Sequence, residues 1–254
     1  MDKNFEQQYH HVEDFHWWFR ARKDIIANLL ADVDEDAAIL DVGCSRGVLI
    51  QFLKSRGFNN VYGIDISETA VSLCHQNHID NTFRMDAKKL EWKDKEFDVV
   101  IASDVLEHIN EDKTALTEWN RVLKKDGILI IFVPAFQFLW CQYDTVNYHY
   151  RRYTKSNLVK ILKDSNFEIC RSSYWNSLLF FPIAFVRFIQ KKIPYGTEKK
   201  MTENYLKPSF NNLFLFLLKF ENWLLRRIDF PLGVSVFAVA RKARKEAFTM
   251  EVKA

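Results

Sequence analysis

Apolar positions along this chain follow two alternating rhythms. In "YHHVEDFHWWFRARKDII", Phe15, Trp18, Phe19, Ile25 and Leu29 recur at spacings of three and four, which predicts a helix over residues 5–31. "AAILDVG" is a short continuous apolar run ending in a glycine turn, the pattern of a buried strand, and "VLIQFLKSRG" reads as a helix closed by Gly57. "NVYGIDI" is the next strand, and "SETAVSLCHQN" a helix with Ser67 as its N-cap. "NTFRMDA" and "FDVVIASDV" supply a third and fourth strand. "NEDKTALTEWNRVLKK" is helical up to Asp126-Gly127, and "GILIIFVPA" is a fifth strand ending at Pro134. After the helix "TKSNLVKILKDSNF" come a sixth strand, "EICRSSYW", and a last one, "VSVFAVARK". Strands alternating with helices of ten to sixteen residues predict a doubly wound α/β sheet.

The segment between the last two strands breaks that rhythm. Of the 22 phenylalanines, eleven lie between Phe167 and Phe237. "NSLLFFPIAFVRFIQKKIPYGTEKK" and "PSFNNLFLFLLKFENWLLRRIDFP" read as two helices with basic ends, the second apolar around its whole girth from Leu213 to Leu218. The net charge of +3 conceals a split, with −9 on residues 1–150 and +12 on residues 151–254. A basic, Phe-rich helix pair with Lys219, Trp223, Arg226 and Arg227 suits an anionic membrane surface, and equally an internal cap on a pocket or a dimer seam. Pro182, Arg187 and Lys219 keep every apolar run short of the roughly 18 residues that a spanning helix needs. Four scattered cysteines without a CxxC, and a polar start without an apolar signal core, predict a cytoplasmic protein, membrane-associated if the insert rests on lipid.

Candidate chemistry begins at the first glycine turn. In an open α/β sheet, ligands sit at the carboxyl ends of the strands, and Asp41, Gly43 and Gly47 lie where the first strand turns into its helix. Asp65 ends the second strand, where a carboxylate accepts bonds from ribose hydroxyls. The string Gly43-Cys44-Ser45-Arg46-Gly47-Val48 lacks the second and third glycines of a dinucleotide fingerprint, and no phosphate-loop Gly-Lys-Ser/Thr is present. A carboxylate at Asp41 would repel pyrophosphate but attract an ammonium or sulfonium. The pattern favours a cationic adenosyl ligand.

These residues resemble a known family. "ILDVGCSRG", "VYGIDIS", "FRMDA", "FDVVIASDVLEHI" and "LKKDGILIIFVP", in order over residues 36–135, are similar to the class I S-adenosylmethionine-dependent methyltransferases, nearest in flavour to those of ubiquinone and menaquinone biosynthesis. Where the family usually carries a middle glycine, this chain has Ser45. The resemblance implies a Rossmann-like, doubly wound seven-stranded sheet, mostly parallel with an antiparallel last strand, and S-adenosylmethionine as cofactor. It implies that Asp41 orients the loop and the methionine amine, that Gly43 and Gly47 leave room for the methionine, and that Asp65 holds the ribose. Ile66 would pack on adenine, and Asp86 with the Ala87 N–H would meet its edge. Ser103 and Asp104 would face the sulfonium and the acceptor, with His108 shaping the pocket. It further implies that residues 1–35 form a lid helix. Adjacent helical residues point about 100° apart, so Trp17 and Trp18 are not expected both to be core. Trp17 is the one expected over the cofactor or acceptor.

The chain therefore reads as one domain. It has a lid (1–35), a cofactor core (36–135), an acceptor-site loop and helix (136–166) and an oily insert (176–232). Within "FLWCQYDTVNYHYRRYTKSNLV", His149 is the candidate general base, and Tyr148, Arg151, Arg152 and Tyr153 are candidate acceptor contacts. His10 and His16 are secondary base candidates. No metal site is expected, since His75 and His78 have no completing ligand. The insert argues for a hydrophobic small-molecule or lipid-linked acceptor, methylated at oxygen. A polar or sugar acceptor with the insert as a homodimer seam is the rival, and a non-catalytic adenosyl-binding protein the rival of another class. Nucleic acid is not expected, because "SDVL" stands where an Asn/Asp-Pro-Pro-aromatic motif would.

Overall fold

The computed structural model describes residues 13–190 and 208–243. The chain runs α1 (Trp17–Leu29), β1 (Ile39–Val42), α2 (Val48–Lys54), β2 (Val61–Asp65), α3 (Glu68–Gln76), β3 (Thr82–Arg84), β4 (Phe97–Ser103), α4 (Asp112–Val122) and β5 (Leu123–Pro134). It continues through α5 (Gln142–Val146), α6 (Lys155–Asp164), β6 (Phe167–Trp175), α7 (Phe180–Gln190), α8 (Pro208–Leu224) and β7 (Ser235–Lys242). The sheet order is β3-β2-β1-β4-β5-β7-β6. β1 lies parallel between β2 and β4, with Asp41 opposite Gly63 and Ile101. β7 runs antiparallel between β5 and β6. This is the expected sheet, and its central strands are mostly apolar because helices cover both faces.

Local chemistry sets the element ends. The Ser67 hydroxyl accepts the Ala70 N–H at the start of α3, and Thr154 does the same for Asn157 at α6. One boundary differs from the sequence reading. Leu123-Lys124-Lys125 does not extend α4 but opens β5, because Leu123 pairs with Phe97 and buries completely. The lid helix also starts later than expected, at Trp17, with the His16 ring accepting the Trp18 N–H as its cap. The first twelve residues, His10 among them, lie outside the described residues, as does the link from α7 to α8.

The insert folds back on the lid. α8 buries Leu215 and Leu218 against α1, and two asparagines pin the pair. Asn211 accepts the Trp17 N–H at 2.8 Å and donates to the Phe15 carbonyl. Asn222 accepts the Trp175 indole N–H and donates to the Ala21 carbonyl. Glu221, fully buried, accepts the N–H groups of Ser177 and Leu178 ahead of α7. Burial pushes its carboxyl up, and those backbone bonds oppose the push. Both tryptophans are thereby packed. Trp17 meets Phe214 at 5.5 Å, and Trp18 meets Trp175 at 4.8 Å. As expected, only Trp17 joins the core, while Trp18 stays half-buried against Trp175. No helix among the described residues is long and apolar enough to cross a membrane.

Candidate active site

A cavity of about 1660 Å³ opens along the carboxyl ends of β1, β2 and β4. It exceeds the ~300–1,000 Å³ of most single-ligand pockets, which leaves room for two molecules end to end. One end is the glycine loop. The Asp65 carboxylate accepts the Ser45 N–H at 3.0 Å and the Ser67 N–H at 2.9 Å, so it braces both strand-end turns. Asp41 is buried at the floor and makes no ion pair among the described residues. Burial, then the nearby Asp65, push its carboxyl well above the usual range. A cationic ligand group beside it would relieve that charge burial, which fits the sulfonium and ammonium of the implied cofactor. Ile66 stands exposed on the rim beside Asp86 and Ala87, and Asp86 caps its turn by accepting the Lys88 N–H.

The two loop glycines differ in what surrounds them. Gly43 lines the cavity at φ +73°, but a Cβ there would strike Val105 at 2.5 Å. Gly47 lies off the cavity at φ +81°, and a Cβ would sit 2.4 Å from Ile79. Protein side chains, and not a ligand, forbid a side chain at Gly47. Ser45 takes φ +50°, a conformation costing a non-glycine residue ~1–2 kcal/mol. Its hydroxyl donates to Glu13 at 3.1 Å, and Arg46 pairs with Glu13 and Asp14. The segment leading into α1 is thus fastened over the loop.

The middle of the cavity is organised by a residue that the sequence reading missed. Arg22, on α1, lies buried between Phe132 (4.2 Å), Trp175 (4.3 Å) and Trp18 (5.3 Å). It donates to Ser103 at 2.8 Å and Ser235 at 3.3 Å, and pairs with Asp104 at 2.9 Å. Ser103 and Asp104 do line the cavity, Asp104 at φ +57°. His16 also faces it, and burial pushes its ring down to about 4, so it is neutral at pH 7.

At the far end, the residues after β5 form a buried node. Asp144, with no exposed surface, receives Arg152 through Nε at 2.8 Å and Nη2 at 2.9 Å, the His149 Nδ1–H at 2.9 Å and the Cys141 N–H at 2.8 Å. Burial raises the Asp144 carboxyl, but these partners together outweigh it and hold the group well below the usual carboxylate range. Arg152 also donates to the Ala135 carbonyl at 3.0 Å, so it is a brace rather than a loose acceptor clamp. Arg151 and Tyr153 correct the sequence reading more plainly. Side chains alternate along this extended stretch, and both face away from the cavity toward Asp112, at 2.8 Å and 3.2 Å. Tyr148 stays exposed on the cavity rim at φ +57°.

His149 and His108 meet edge to face with ring centroids 4.5 Å apart. Burial, then His149, push the His108 ring down to about 4. Glu107, beside His108, is 1 % exposed, and burial, then Asp104, push its carboxyl well up. His75 bonds the Thr82 carbonyl at 3.0 Å, but the fold brings ligand atoms of Glu107, His108 and His149 within 4.8 Å of one another. From the insert, Leu179, Pro182, Ile183, Val186 and Phe214 close this end with apolar surface.

The family model for a methyltransferase domain matches residues 40–131, the stretch from β1 into β5. The chain carries a methyltransferase domain, and its fold is that of the class I S-adenosylmethionine-dependent methyltransferases. The chain is 30% identical over 154 residues to a ubiquinone biosynthesis O-methyltransferase of Rickettsia bellii, covering 53% of this chain and 62% of that one. It is 30% identical over 107 residues to the mitochondrial arginine-hydroxylase of Homo sapiens, covering 41% of this chain and 31% of that one. The matches thus span less than two thirds of these relatives. In fold it superimposes with a TM-score of 0.65 on a chain from a Haloferax volcanii complex of the Trm112 methyltransferase activator with a methyltransferase, at 15% identity and 96% coverage of both.

Proposed function

We propose that this protein transfers the methyl group of S-adenosylmethionine to an oxygen of a hydrophobic small-molecule or lipid-linked acceptor. The observation that carries the reading is the single cavity, polar and acidic at the Asp41–Asp65 end and apolar at the α7–α8 end, with His149 between. The cofactor supplies a methyl carbon already activated by its sulfonium. The protein's part is to orient, to desolvate and to manage the acceptor's proton. In this reading Asp65 takes the ribose hydroxyls, Asp41 the methionine ammonium, and Ile66 with Asp86 and Ala87 the adenine. Arg22 fixes Asp104 and Ser103 where the methyl group passes. Asp144 turns the His149 ring so that Nε2 works on the acceptor oxygen.

Apolar lining by Leu179, Pro182, Ile183, Val186 and Phe214 favours the oily acceptor over a sugar. Exposed Phe181, Phe185 and Phe188 on α7, and Phe210, Leu213, Phe216, Phe220 and Trp223 on α8, each recur at spacings of three and four. Such stripes beside the acceptor end support docking on a lipid surface from which the acceptor enters. The test is methyl transfer from labelled cofactor to quinol-like phenols and to catechols with and without isoprenoid tails. Methylated product that forms faster with the tailed phenols supports the reading. No product with any of them, while S-adenosylhomocysteine binds, would sink it.

A further inference from the structure

Arg187 is the one charged residue of α7, a helix otherwise built from Phe, Ile, Val, Ala, Pro and Gln. A lone cation on an apolar surface helix normally keeps its head in water. Here the helix is turned the other way. Phe181, Phe185 and Phe188 form the exposed stripe, whereas Arg187 stands with Ile183, four positions earlier, on the wall of the cavity. The side chain is half-buried, and its one hydrogen bond among the described residues runs from Nη1 to the Leu139 carbonyl at 2.9 Å, on the turn after β5. No ion pair reaches it among those residues. Burial, then the neighbouring Arg152, push the guanidinium down from its ordinary value, the mark of a cation held without its counter-charge. Asp144 does not supply that charge. Both of its oxygens are taken by Arg152, with His149 and the Cys141 N–H sharing them. An arginine does not escape by losing its proton. A strap to Leu139 needs a single N–H, yet a guanidinium offers five, in a planar fork that matches carboxylate and phosphate oxygens.

We propose that Arg187 receives an anionic oxygen group, a carboxylate or a phosphate, carried by the apolar acceptor. The acceptor is then amphipathic. Its chain lies along Leu179, Pro182 and Ile183, and its acidic group meets the one cation set into that wall. Anchoring at two points, one apolar and one charged, fixes which acceptor oxygen is presented to the methyl group. The proposal rests on the reading of this end as the acceptor site and narrows the acceptor to an acid.

The test is calorimetric titration of the full chain, loaded with S-adenosylhomocysteine, with decanol, decanoate and decyl phosphate, each below its micelle concentration. Wild type should bind at least one of the two acids about tenfold or more tightly than the alcohol, and the tighter acid identifies the group. Inorganic phosphate should not displace it at equal concentration; displacement would overturn the claim that the anion rides on the acceptor. Arg187→Gln keeps a donor for the Leu139 carbonyl but loses the charge, so it should erase the preference, while Arg187→Lys should keep most of it. The exposed Arg227→Gln should change nothing. Melting curves check that each variant is folded, and if Arg187→Gln is not, the wild-type comparison still decides. Equal binding of the three probes, or a preference that survives Arg187→Gln, overturns the anion site and leaves an apolar acceptor standing. A chain that binds S-adenosylhomocysteine but none of the three overturns the acceptor reading as well.

Discussion

Replacing Arg152 with methionine removes one charge from a pair that water does not reach. The guanidinium makes two bonds to Asp144 and one to the Ala135 carbonyl, and the side chains of the ion pair are 2 % and 0 % exposed. Methionine fills much of the volume but leaves the Asp144 carboxylate with only His149 and the Cys141 N–H. Breaking one partner of a buried pair costs about 3–5 kcal/mol. For a chain of this size that lowers Tm by roughly 2–4 °C per kcal/mol, so about 10 °C in all. The pH dependence carries the sign. Asp144 has a depressed folded pKa, so its stabilisation is present above the unfolded value near ~4 and is lost as pH falls through the folded one. Without Arg152 the folded value rises, and the deficit relative to wild type should shrink as pH falls from 7 to 4. Urea unfolding of both proteins at the two pH values measures this. A Tm loss under 3 °C, or a deficit that grows in acid, would refute the reasoning.

Gly47→Ala should destabilise by about 2–4 kcal/mol through its left-handed φ and the 2.4 Å approach to Ile79, read by urea unfolding, with a neutral result counting against the packing described. Cofactor affinity should rise as pH climbs from the ordinary carboxylate range through the raised value of Asp41 and then level off, because the ammonium prefers the ionised form; titration across pH tests it, and Asp41→Asn should flatten the curve. Changing Phe181, Phe185 and Phe188 together to serine should abolish flotation with anionic vesicles while leaving Tm within about 2 °C, since all three are exposed; wild type that fails to float would remove the lipid-docking proposal.

Elements whose signal is local were legible in the sequence. The apolar runs ending in Asp41 and Asp65, the Ser67 cap and the alternation of strands with helices led directly to the sheet and to the strand ends that open on the cavity. What was not legible depends on partners distant in sequence. Arg22 looks like any helical arginine until Phe132 and Trp175 close around it. Gly47 looked like a ligand glycine because Ile79 cannot be placed beside it from sequence. Arg151, Arg152 and Tyr153 were grouped as acceptor contacts, yet an extended backbone sends Arg152 one way and its neighbours the other. Glu107 and His108 became part of a cluster only when His149 arrived from beyond β5.

The central claim is a cofactor cleft organised by Asp65, and the most direct measurement is titration of S-adenosylhomocysteine into wild type and Asp65→Asn. The account predicts one site per chain, and an affinity loss of roughly 100-fold or more when the charge-assisted ribose bonds, each worth about 1.5–3 kcal/mol, are weakened together. Wild type that does not bind, or a folded Asp65→Asn that binds equally well, would contradict it.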